Sequence, residues 1–134
     1  MTNLGMGNHT TRQARTAPAR GVIVLDAAVR AAELMGLSQA ALARILGMDA
    51  STLSRRLTGR RGLDERSREY EAALLWIRLF RGLHGVVGGQ DATARAWLAS
   101  PNLAFAGQRP GDLIQGMEGL VRVVQYLDAH RAML

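Results

Sequence analysis

The chain has no cysteine and no lysine, only three prolines, and six aromatic residues among 134. Without cysteine there is neither a disulfide framework nor a thiolate metal site, and no thiol nucleophile. The three histidines, His9, His84 and His130, lie far apart and show no ligand spacing. No Ser-His-acid arrangement, phosphate-cradling loop or metal-ligand cluster stands out, so no catalytic residue, metal or cofactor is expected. The fifteen glycines fall at turns and helix ends rather than in a nucleotide fingerprint after a strand. No apolar run approaches the ~20 residues that span a bilayer, and the first residues lack the apolar centre of a signal peptide. A bacterial cytoplasm or nucleoid is the expected location, with no membrane partner.

What is present is arginine, and it is unevenly placed. Residues 1–63 hold nine arginines against Asp26, Glu33 and Asp49, a surplus of six. Residues 64–89 hold four arginines and four acids, and residues 90–134 again four of each. All the excess positive charge therefore sits at the front, as neutralisation of nucleic-acid phosphates requires. Nearly half the residues are apolar, enough for a packed core.

Within that basic front, Leu37 to Arg61 reads as two short helices around a glycine turn. Ser38 is a good N-cap, and Leu42, Ile45 and Leu46 follow at helical spacing. Gly47 supplies the freedom to end the helix tightly. Ala43 leaves room for the next helix, whose apolar stripe is Met48, Leu53 and Leu57. Such a helix-turn-helix lays its second helix in the major groove, where arginines meet guanine or phosphate and hydroxyls meet either. The DNA-contact candidates are Gln39, Ser51, Thr52, Ser54, Arg55, Arg56, Arg60 and Arg61. The alternative is a plain helical hairpin with solvated arginines.

The chain as a whole reads as all-α. Residues 1–20 lack periodicity and form a flexible N-terminal arm. Val22, Leu25, Ala28, Val29, Ala32 and Met35 predict a helix closed by Gly36, which completes a DNA-binding domain over 21–63. Asp64 is the expected cap of a long connecting helix over 64–89 reaching about Val87, with Glu65, Glu69 and Glu71 early and Arg78 and Arg81 late, as the helix dipole favours. That helix has two apolar stripes, Tyr70, Leu74, Ile77 and Phe80, and Ala72, Trp76, Leu79 and Leu83. One face suffices for a surface helix, so both stripes must be covered, by the rest of the chain or by a second copy in a homodimer. Residues 90–134 form a compact unit of three short helices. Asp91 caps the first, Pro101 ends it, Leu103 and Phe105 turn inward, Pro110 opens the next helix, and Gly119 precedes the last, with Leu120, Val123, Val124 and Leu127 on one face.

Two resemblances follow from these residues. Leu42 and Ala43 before the turn resemble the Xre-type helix-turn-helix of bacterial repressors. The chain departs from that pattern at Arg56, three after Leu53, where an apolar residue is usual. In the rear, Trp97-Leu98, then Pro101 and Asn102, then Gly107, Arg109 and Pro110, then Gly119 with Val123, Val124 and Leu127 behind, resemble the C-terminal domain of the Xre/MbcA/ParS antitoxins. The resemblance implies a non-enzymatic antitoxin of a type II toxin-antitoxin system. Its partner would be a RES-domain toxin, which hydrolyses NAD or transfers ADP-ribose to a protein. The rear module would obstruct the toxin's NAD pocket in a hetero-oligomer, while the front binds operator DNA and represses the shared operon. By the same analogy the toxin-contact candidates are Gln108, Arg109, Val124, Leu127, Asp128, His130, Arg131 and Leu134. A carboxylate of Asp128 or of the Leu134 terminus would engage cations that hold NAD pyrophosphate. A fraying tail is the alternative for that end. For the chain as a whole, the alternative is a freestanding dimeric Xre-type transcriptional regulator.

Overall fold

The computed structural model describes residues 19–132, which hold seven α-helices. Leu134 and all of the expected N-terminal arm except Ala19 and Arg20 lie outside the described residues. Helix α1 runs Arg20–Leu34, α2 Gln39–Leu46 and α3 Ala50–Thr58. The Ser38 hydroxyl accepts from the Ala41 amide at 3.0 Å and so caps α2. Gly47 ends it in the left-handed region, φ 78°, where a side chain would be strained. Leu42, Ala43, Leu46 and Leu53 are buried where α2 and α3 meet.

Helix α4, Arg68–Val86, starts later than the sequence suggested. Asp64 does not cap it. The Asp64 carboxylate accepts from the Arg66 amide at 2.9 Å, and its carbonyl takes the Ser67 hydroxyl at 2.6 Å. The Ser67 oxygen in turn accepts from the Tyr70 amide at 3.1 Å. Asp64 thus shapes the approach, and Ser67 satisfies the free amide of the first helical turn.

Ala72, Trp76, Leu79 and Leu83 are at most 2% exposed, enclosed by α1 and α2 and by α7, Met117–Ala132. The Trp76 indole N–H reaches the Ala28 carbonyl in α1 at 3.0 Å. The other stripe is only partly covered: Tyr70 is buried, Ile77 and Phe80 are half-buried, and Leu74 is exposed. One apolar core runs from Val24 in α1 through α4 to Leu127 in α7, across the boundaries that sequence reasoning placed at 63 and 89.

Helix α5 covers Asp91–Ala99 and α6 covers Pro110–Leu113. Gln90, not Asp91, occupies the α5 cap position, and the Asp91 carboxylate instead meets the His84 Nε2 at 3.0 Å. Between α5 and α6 a single 3-10 turn, Leu103–Phe105, sends Phe105 into the core and Leu103 out, 95% exposed, against the expectation that both turn inward. Gly119 lies inside the first turn of α7 rather than before it. A Cβ there would collide with the Leu113 carbonyl, so its absence is what lets α6 and α7 meet at a sharp corner.

Candidate functional site

Helix α3 buries Leu53 and half-buries Leu57. At about 100° per residue, Arg55 projects from the opposite side, with Ser51, Thr52 and Ser54 around it. Ser51, Ser54 and Arg55 are exposed and Thr52 is half-buried, its hydroxyl accepting from Arg55 Nη2 at 3.3 Å. Gln39 is exposed at the first residue of α2, and Arg60 and Arg61 are exposed just after α3. These seven side chains are open to an external partner.

Arg56 is different. Its Nη1 donates to the Gly62 carbonyl at 2.9 Å, and its Nε is buried without a partner among the described residues. The guanidinium fastens the end of α3 to the Gly62-Leu63 segment, which itself lies against Gly21 at the start of α1: the Leu63 amide donates to the Gly21 carbonyl at 3.2 Å. Arg56 therefore turns along the flank of the domain instead of outward. The apolar residue usual at this point of an Xre-type helix is replaced by a long stem with an internal hydrogen bond.

Two polar contacts join the front to the rear. Arg44 Nε in α2 donates to Gln115 Oε1 at 2.8 Å, and Arg95 Nη1 in α5 donates to the Leu34 carbonyl at 3.0 Å. The second places a cation on the carbonyl end of α1, where the helix dipole favours it. Beside Arg95 opens a groove of about 340 Å³, lined by Met35, Leu37, Leu98, Arg109 and Asp112 among others. Neither Arg44 nor Arg95 stood out in the sequence, because contacts 71 and 61 residues apart leave no local spacing.

The rear candidates divide sharply. Val124 and Leu127 are 4% and 2% exposed and pack within the core that α7 shares with α4, so they are not available to a partner as the sequence reading supposed. The Asp128 carboxylate is held by Arg78 Nη2 of α4 at 2.7 Å. Gln108 and Arg109 are exposed in the loop before α6, and His130 and Arg131 are exposed at the end of α7. The His130 ring lies tilted against Tyr126, ring centroids 4.2 Å apart. No cluster of His, Asp or Glu suited to a metal occurs among the described residues, and none of their helices is long and apolar enough to cross a membrane.

Residues 10–75 match the family described as the antitoxin Xre-like helix-turn-helix domain. Residues 83–132 match the antitoxin Xre/MbcA/ParS C-terminal toxin-binding domain. The chain belongs to the Xre/MbcA/ParS antitoxin family. Among solved structures, the antitoxin is similar to a chain of the M. tuberculosis MbcT-MbcA toxin-antitoxin complex, with TM-score 0.59 and 20% identity over 80% of this chain and 92% of that one. No curated protein matches it in sequence. The two family matches fall on either side of the middle of α4, so each takes part of that helix. The chain is thus an antitoxin of a toxin-antitoxin system, all-helical, with a helix-turn-helix in front and a toxin-binding module behind.

Proposed function

We propose that this antitoxin neutralises a RES-domain toxin, one that hydrolyses NAD or transfers ADP-ribose to a protein, by covering the entrance to its NAD pocket. The observation that carries this reading is the match of residues 83–132 to a toxin-binding domain, on a module whose loop and helix end expose Gln108, Arg109, His130 and Arg131. The chain similar to it in fold comes from a complex of a toxin with its antitoxin, which supports the same division of labour. Asp128 takes part only if a cation of the toxin displaces Arg78, and Leu134 follows two residues beyond the described end of α7.

The front half binds operator DNA and represses the operon that encodes both proteins. The surplus of positive charge in residues 1–63 and the outward set Gln39, Ser51, Thr52, Ser54, Arg55, Arg60 and Arg61 support this. Binding is as a homodimer on paired half-sites, with the exposed Leu74 and the half-buried Ile77 of α4 available between copies.

The decisive experiment is co-expression of the chain with the protein encoded by the adjoining reading frame, a tag on one of them, and an assay of NAD turnover. A co-purified complex in which NAD consumption has stopped is the expected result. Undiminished NAD consumption in the presence of excess antitoxin overturns the proposal.

A further inference from the structure

Helix α7 has two unlike faces. Leu120, Val123, Val124 and Leu127 face the core, at most 4% exposed. Round the helix, Arg122, Tyr126 and His130 follow one another at four-residue spacing and so stand in line along the outer side. They are linked into a ladder. The Arg122 guanidinium carbon lies 5.4 Å from the Phe105 ring centroid, the Phe105 and Tyr126 rings are 5.0 Å apart, and Tyr126 to His130 is 4.2 Å. Trp97 of α5 closes the side, 6.2 Å from both Phe105 and Tyr126. The same 3-10 turn that plants Phe105 in the ladder throws Leu103 into solvent.

We propose that the outer edge of this ladder, Arg122, Tyr126, His130 and Trp97 over the buried Phe105, with Leu103 as its projecting anchor, is the surface by which the antitoxin grips its toxin, fitting an apolar socket on that protein with a carboxylate beside it for Arg122. The inference rests on the toxin-binding reading above and deepens it by naming the side chains.

Four observations converge. Every residue concerned lies within the stretch matched to the toxin-binding domain. The opposite face of α7 is spent on α4, so a partner meets the helix on the side of Arg122, Tyr126 and His130 or on the neighbouring exposed side of Gln125 and Ala129, and Leu103 projects beside the first. Its composition, half-buried Trp and Tyr with an exposed Arg beside a projecting apolar side chain, is that of an interface centre rather than of ordinary surface. Its exposed cation is Arg122, which lies against the Phe105 ring one turn after the exposed Glu118, while Asp128 is turned to Arg78.

The anchor is also fixed before any partner arrives. The Asn102 amide donates to the Gln108 carbonyl at 3.1 Å, and the Asn102 carbonyl accepts from Phe105 and Gly107 at 3.0 and 2.9 Å. The Asn102 side chain takes the Ala104 amide at 2.9 Å. Ala106 is held at φ 56°, a left-handed conformation that a residue with a Cβ adopts at a cost. A turn so constrained loses little further freedom on binding, so burying Leu103 adds to affinity almost undiminished.

The test uses the full chain and the protein encoded by the adjoining reading frame, with Leu103→Asp, Arg122→Glu and, as a control outside the toxin-binding match, Ile23→Asp, which is also at an exposed position. Calorimetric titration gives Kd, and circular dichroism reports folding. Leu103→Asp is expected to weaken binding by at least about tenfold, and Arg122→Glu to weaken it as well, with helicity retained and the Ile23 variant binding like the unmodified chain. If Leu103→Asp loses helicity, the exposed Arg122 variant carries the decision. Should the unmodified chain bind and both folded variants bind as tightly, the surface assignment is overturned and the antitoxin reading stands. If the unmodified chain does not bind that protein, both fall together. A change from dimer to monomer on Leu103→Asp with toxin affinity unchanged also overturns the assignment, and gives the face to self-association.

Discussion

Arg56 and Gly62 are joined by a 2.9 Å hydrogen bond from guanidinium to carbonyl that closes the helix-turn-helix onto the start of α1. The arginine beside it, Arg55, is exposed and bonded only to a neighbouring threonine on its own helix. Two adjacent arginines therefore have separable roles.

Arg56→Ala is expected to lower stability by about 1–2 kcal/mol, the loss of a partly buried hydrogen bond to a charged donor. Arg55→Ala is expected to leave stability within about 0.5 kcal/mol, as for other exposed positions. On operator DNA the order reverses in kind. Arg55→Ala weakens binding and lowers the steepness of its salt dependence by about one unit per lost phosphate contact, whereas Arg56→Ala at a temperature where it stays folded keeps the slope of the unmodified chain. Thermal melts and binding isotherms at several salt concentrations check both.

The helix-turn-helix was legible because its determinants are local. Ser38 caps the helix three residues before the amide it binds, and Gly47 sits where a left-handed residue is needed. The rear module was legible through its resemblance, carried by Gly107, Arg109, Pro110 and Gly119, and the family match bears that out. The side chains at its surface were not. Val124 and Leu127 fit a toxin-contact reading until α4 covers them, and Leu103 and Phe105 are both apolar ends of one 3-10 turn, which faces only one of them to the core. Asp64 and Ser67 are both good caps, and the three-residue offset between them was settled by the turn that Asp64 itself forms. Arg56 stood out as a departure from the Xre pattern, but its hydrogen-bond partner lies in a loop whose path is set by α1.

The shared core of α4 predicts that the halves do not melt separately. Trp76, Leu79 and Leu83 are buried with residues of both α1 and α7 in one cluster. A fragment beginning at Gln90 leaves Val123, Val124 and Leu127 without the helix they pack on, and is expected to show little helix by circular dichroism. A fragment beginning at Asp64 keeps α4 and is expected to be helical. For the full chain, a single calorimetric transition is the expected result, and two resolved transitions contradict the shared core.

Asp128 separates structure from recognition. Its bridge to Arg78 joins side chains 33% and 61% exposed, the kind of surface pair that contributes about 0.2–1 kcal/mol. Asp128→Asn is therefore expected to shift stability by less than about 1 kcal/mol. If the carboxylate meets a cation in the toxin, Asp128→Asn weakens the complex while Arg78→Ala, which frees the carboxylate, does not. Equal weakening by both identifies the bridge as a support for α7.

Gly82 and Gly119 both lie inside helices, yet the same change at each is expected to act in opposite directions. An alanine in a helix interior is favoured over glycine by roughly 0.5–1 kcal/mol because it has less backbone freedom to lose. At Gly82 the added methyl would stand 3.5 Å from the Leu127 Cβ and 3.7 Å from the Arg131 Cδ, ordinary contact distances, so Gly82→Ala should keep most of that gain and tighten the seam between α4 and α7. At Gly119 the methyl would run into the Leu113 backbone carbonyl, which no side-chain rotation can relieve. The corner between α6 and α7 would have to open, and Gly119→Ala should cost about 1–3 kcal/mol, as overpacking does. Denaturant melts of the two variants check the opposite signs. A stabilised Gly119→Ala would mean that α6 and α7 do not meet as closely as the Leu113 carbonyl indicates.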